Sequence, residues 1–142
     1  ALEINLRKGG TTHPYAALRT LVPGHYDPDA ARWVTDRDGS TRAYRSTDNV
    51  VDPAWIGRPP TSVIDAVRNA GLQFDPELGT GVVLHMLSCL AVDGRFGVTA
   101  IGTNPAHADE LFDATLAAVA HEPHRQVARR PHQSPRARLE SH

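Results

Sequence analysis

A mixed α/β (α+β) architecture is the fold class this sequence predicts, and three observations carry the expectation. Leu2, Ile4 and Leu6 alternate with Glu3, Asn5 and Arg7, the period-2 pattern of a strand with one apolar face. Residues 60–70 and 104–119 repeat apolar side chains at helical spacing and carry helix start signals. Between them, Val82–Val92 and Arg95–Ile101 are apolar on both faces, as strands inside a sheet are, and Asp93-Gly94 joins them as a two-residue hairpin turn would.

Taken in order, the first strand runs into Gly9-Gly10, and Thr12 or His13 then caps a helix with Pro14 in its first turn. Tyr15, Leu18, Leu21 and Val22 share one face of that helix, and Pro23-Gly24 ends it. Asp27-Pro28 starts a turn. Trp33–Thr35 and Thr41–Arg45 flank Asp38-Gly39 as a hairpin. Ser46–Pro60 reads as loop, with a subdomain boundary near Gly57. Ser62 with Asp65 resembles a capping box for the helix that Gly71 closes. Leu72–Phe74 is a short strand, and the 82–101 hairpin is expected to pair with it or with the 33–45 region. Gly79-Thr80-Gly81 lacks the Gly-Lys-Ser/Thr ending of a phosphate loop and reads as a turn feeding a strand. His85 falls among apolar neighbours, where a hydrogen-bonded core histidine is the usual finding. Asn104 caps the last helix with Pro105 at its first position, and Ala108, Leu111, Phe112, Leu116 and Val119 form its buried stripe.

Composition bounds the function. The 142 residues hold 15 basic and 16 acidic side chains, so no bulk attraction to nucleic acid or to a membrane is implied. Five arginines and two glutamates lie in residues 122–142, where helical periodicity stops and Pro, His, Gln and Ser take over; this stretch reads as a disordered tail. Cys89, the one cysteine, excludes an internal disulfide and fits a reducing, cytoplasmic setting. Its apolar neighbours favour inert burial over nucleophilic work. No apolar run is long enough to span a bilayer.

The polar face of the first strand is where chemistry is expected. Glu3 and Asn5 offer a carboxylate and an amide oxygen side by side, a donor pair that suits Mg²⁺. Arg7, one step along, would meet a phosphate bridged by that metal. Gly9-Gly10 lets backbone approach a ligand, and the helix that follows presents free N–H groups and a positive dipole end to an anion. An isolated Glu-x-Asn-x-Arg is also what a solvated strand face looks like, so the strand alone leaves both readings open.

The stretch Glu3-Ile-Asn-Leu-Arg-Lys-Gly-Gly-Thr-Thr-His-Pro14 resembles the end of the catalytic domain of ATP-grasp ligases, in particular the peptide ligases typified by the pheganomycin-biosynthesis enzyme. A second block supports the resemblance: Leu72-Gln-Phe-Asp75, Gly79-Thr-Gly-Val-Val-Leu-His-Met86, Gly94-Arg-Phe-Gly97 and Ala100-Ile-Gly102. The resemblance implies residues 1–56 as the end of an ATP-grasp catalytic domain, 57–120 as a small helix–strand–hairpin–helix subdomain, and 121–142 as the tail. It implies ATP and Mg²⁺ as cofactors, and carboxylate and amine substrates, small molecules or peptides, joined through an acyl phosphate. Glu3 and Asn5 match metal-binding positions, Arg7 the catalytic cation that holds phosphoryl oxygens, and Lys8 a second cation at the nucleotide. Gly9, Gly10, Thr11, Thr12 and His13 match the wall of the substrate site. The upstream lobe that clamps the nucleotide is not in these residues, so the chain is expected to be the C-terminal piece of a longer ligase and inactive by itself. The alternative is a non-catalytic docking module of a biosynthetic ligase, which would not respond to Glu3→Ala. Five tail arginines without aromatic partners are a weak signal for polyanion binding.

Overall fold

The structure, a computed structural model, describes residues 12–121. In chain order the elements are α1 (Thr12–Leu21), β1 (Gly24–Asp27), β2 (Arg32–Thr35), β3 (Thr41–Val51), a 3-10 turn (Pro53–Trp55), α2 (Pro60–Asn69), β4 (Gly81–His85), a second 3-10 turn (Leu87–Cys89), α3 (Leu90–Asp93), β5 (Arg95–Gly102) and α4 (Pro105–His121). The strands form one sheet of order β1-β2-β3-β5-β4, antiparallel at every pairing. The mixed helix-and-sheet class read from the sequence is therefore what folds. β3 pairs with β5, so residues on both sides of Gly57 share the sheet.

Strand β5 is central, and its alternation sorts the two faces. Phe96, Val98 and Ala100 are fully buried against α2 and α4, in a core with Val63, Ala66, Val67, Leu90, Phe112 and Val119. Gly97, Thr99 and Ile101 point the other way. There Ile101 joins Leu18 of α1, Val22 just beyond its end and Trp33 of β2 in a second, smaller core. The Trp33 indole donates to the Val22 carbonyl at 3.1 Å and so holds the end of α1 on the sheet.

Two arginines fasten α4. The buried Arg58 donates to the Val119 carbonyl at 2.8 Å, placing a cation at the negative end of the helix. Arg45 lies 4.0 Å from the Phe112 ring centroid and pairs with Asp109 and Asp113. Those pairs are exposed and contribute little; the cation–π contact contributes about 0.5–1 kcal/mol.

Four sequence expectations need correction. Residues 82–101 are not one long hairpin. β4 stops at His85, Met86 enters the left-handed region at φ 56°, and Leu87–Asp93 coil into the 3-10 turn and α3. A tight Asp93-Gly94 turn would have placed Val83 opposite Asn104; the observed partner is Thr99. Coiling lets the fully buried Leu90 reach the core while Val92 points to solvent, which a strand holding both on one face cannot do. Gly94, at φ 71°, ends α3 rather than turning a hairpin, and its bare Cα lies against the Asp52 carbonyl. Second, Ser46–Val51 continue β3 instead of forming a loop, because Ser46 and Thr47 pair with Thr99 and Val98 of β5. Third, Leu72–Phe74 makes only an isolated bridge, Gln73 to Val82, along the edge of β4. Fourth, Ser62 lies inside α2 and donates to the Pro59 carbonyl, so the Ser62–Asp65 capping box does not form. The Asn104 cap does form, accepting from the His107 N–H at 2.9 Å.

Candidate functional site

Glu3, Asn5, Arg7, Lys8, Gly9, Gly10 and Thr11 lie outside the described residues. Thr12 and His13, the last two members of the expected substrate wall, open α1 and are exposed. The structure sets the His13 ring 4.6 Å from that of His85, centroid to centroid, with the planes tilted by 41°. The N-terminus of α1 therefore arrives over the exit of β4.

β4 and β5 build the ground beneath that contact. His85 sits opposite Gly97 on the face that carries α1, and a Cβ at Gly97 would fall on the imidazole, so only glycine leaves room for the ring. Thr99, two residues along the same face, brings its hydroxyl to 3.4 Å from His85 Nε2. Ser46 of β3, opposite Thr99, donates to the Val98 carbonyl at 3.0 Å and lies 2.8 Å from the Thr99 hydroxyl. A row of polar groups, His13, His85, Thr99 and Ser46, thus crosses three elements and the helix start.

The His85 pKa is pushed below its ordinary value. Desolvation is the main cause and the neighbouring His13 adds to it, while a hydrogen bond to the Val98 backbone and the charge of Asp48 act in the opposite sense. His85 is thus a neutral imidazole at neutral pH, and its half-buried ring is able to accept a proton. Among the described residues no group of three or more His, Cys, Asp or Glu is arranged to hold a metal ion. Cys89, expected to be buried, is half-buried and free.

Two other features bear on ligands. A cleft of about 370 Å³ runs beside α1, lined by Tyr15, Tyr26, Trp33 and Tyr44 with Arg32 and Asn104 among its polar groups. The Asp75–Gly81 loop, in contrast, turns the N–H groups of Glu77, Leu78 and Gly79 inward onto Asp75. The Asp75 carboxylate takes the N–H groups of Glu77 and Leu78, and Arg42 binds the carbonyls of Leu78 and Gly79. The loop is a turn feeding β4, as its sequence implies.

Residues 62–115 match the model of the PGM1 C-terminal domain, a span that covers β4, α3, β5 and most of α2 and α4. The chain is also 31% identical, over 118 residues, to L-propargylglycine–L-glutamate ligase from Streptantibioticus cattleyicolor. The chain is a relative of the pheganomycin-type ATP-grasp ligases. The aligned region is 82% of this chain and 24% of that ligase, so the chain spans about a quarter of its relative's length. No solved structure matches. No helix among the described residues is long and apolar enough to cross a membrane.

The sequence reading missed Gly97, Thr99 and Ser46 as a group. The signal was present. The Gly79–Met86 and Gly94–Gly97 stretches that carry the resemblance are β4 and the start of β5, which together hold His85 in place.

Proposed function

We propose that this chain is the C-terminal part of an ATP-dependent ligase that forms an amide or peptide bond between a carboxylate and an amine. The observation that carries the reading is the 31% identity to a ligase over 82% of the chain. The reaction is transfer of the γ-phosphoryl group of ATP to a carboxylate, followed by attack of an amine on the acyl phosphate.

The donor set fits the metal such a reaction needs. Glu3 and Asn5 supply a carboxylate and an amide oxygen, the hard ligands Mg²⁺ takes. Mg²⁺, when bound there, would neutralise charge on the phosphoryl group. Arg7 holds phosphoryl oxygens through its planar fork, and Lys8 adds a second cation. Gly9, Gly10, Thr11, Thr12 and His13 bring backbone N–H groups and the start of α1 to the acyl group. The domain organisation that goes with this reading is an ATP-grasp end over residues 1–56 and a subdomain over 57–120.

The test is the intact ligase with L-propargylglycine and L-glutamate, the pair in the relative's name, as first substrates. ATP-dependent release of ADP that requires an amino acid is the expected result. ATP turnover that ignores every amino acid supplied would remove the reading.

A further inference from the structure

Amide formation leaves a proton to dispose of. An amine nitrogen that attacks an acyl phosphate becomes positively charged as the C–N bond forms and must lose a proton before the product is stable. The carbon–oxygen bond to phosphate breaks at the same time, and phosphate leaves with the electron pair. None of Glu3, Asn5, Arg7 or Lys8 is suited to take that proton, since they are assigned to metal and phosphoryl oxygens.

Resting on the ligase reading, we propose that His85 is the general base of amide formation: its imidazole takes the proton from the attacking amine and passes it to solvent. Four observations place it there. His85 stands on the face of the sheet over which α1 begins, and its ring touches that of His13, the last residue of the expected substrate wall. Gly97 is shaped to admit the ring. The Thr99 hydroxyl, itself tied to Ser46, lies 3.4 Å from Nε2 and fixes the orientation. The ring is held neutral at neutral pH by desolvation and by His13. The charged groups around it are His13 on α1 and Asp48 on β3; Arg95, further along the same face of β5, is 3.1 Å from Asp93.

Hydroxylamine separates this role from phosphoryl transfer, because it is unprotonated at neutral pH and traps acyl phosphates without a base. The intact ligase and its His85→Gln variant would be compared in two assays: hydroxamate formation from L-glutamate or L-propargylglycine with ATP, and amide formation between the two amino acids. General-base catalysis contributes on the order of a hundredfold or more. His85→Gln is expected to lose at least about a hundredfold in amide formation and less than about threefold in hydroxamate formation. Equal loss in both assays, or loss in neither, would overturn the proposal. His13→Gln is the second variant, at an exposed helix start. It removes a group that lowers the His85 pKa, so the acidic limb of the amide pH–rate profile should move to higher pH. An unmoved limb would overturn the proposal independently of how His85→Gln folds. A wild-type enzyme that makes no hydroxamate from either amino acid would instead count against the ligase reading with this pair.

Discussion

Gly97 and His85 are matched residues, and each has a measurable signature. Ala at Gly97 puts a methyl group into the imidazole, and overpacking of this kind costs about 1–3 kcal/mol. Chemical denaturation of the chain should read that loss, and the His85 ring resonances should shift with it; an unperturbed ring would mean the contact is slack. The pH dependence follows from the direction of the His85 shift. Its folded pKa lies below the ordinary 6.5, so in the window between the two the unfolded chain binds more protons. Stability should therefore fall as pH drops below about 6.5, and the His85→Gln chain should lose that part of the slope. Little of this was legible in the sequence. His85 sat in an apolar run and read as core, because the residues that give it a partner and a space are distant in sequence: Gly97 and Thr99 meet it through β-pairing, and His13 through the packing of α1 on the sheet. The expected Glu3, Asn5 and Arg7 triplet rests on local alternation with Leu2, Ile4 and Leu6, a pattern the sequence carries within six positions.

At the scale of elements, helices were the easier part. α1, α2 and α4 are written in apolar periodicity, and Pro14 and the Asn104 cap mark two of their starts. The strands were harder where burial and local pattern disagree. Ser46-Thr47-Asp48-Asn49 has loop composition, yet all four stay in β3, held by pairing with β5 at Ser46, Thr47, Val50 and Val51. The Leu87–Asp93 stretch has strand composition, yet it coils because Leu90 reaches the core only that way. That difference is testable with two truncations. Leu90→Ala should cost about 2–5 kcal/mol, whereas Val92→Ala, 77% exposed, should cost less than about 0.5 kcal/mol. Similar losses at both positions would favour a strand. Arg58→Ala at the end of α4 removes a charged hydrogen bond to the Val119 carbonyl and should cost about 2–3 kcal/mol in the same unfolding assay.

For the whole molecule, the sheet gives α1 a fixed seat, and the start of that helix lies at the His13–His85 contact. The reaction we propose comes from the similarity to a ligase, and the place of α1 sets His13, the last residue of the expected substrate wall, beside His85. On this account the 142-residue chain alone releases no ADP from ATP, because the nucleotide-clamping lobe belongs to the longer ligase we propose. The central claim is that Glu3, Asn5 and Arg7 serve one Mg²⁺-bridged phosphoryl group. Steady-state ADP release by the full-length enzyme, with Mg²⁺ titrated for each variant, tests it most directly. Glu3→Ala should raise the Mg²⁺ requirement and lower the rate, and Asn5→Asp should retain more activity than Asn5→Ala. Arg7→Lys keeps the charge but loses the planar fork, a loss on the order of 3 kcal/mol or roughly a hundredfold in turnover. Wild-type rates and unchanged Mg²⁺ dependence in both Glu3→Ala and Arg7→Ala would contradict the claim and leave this stretch a structural strand.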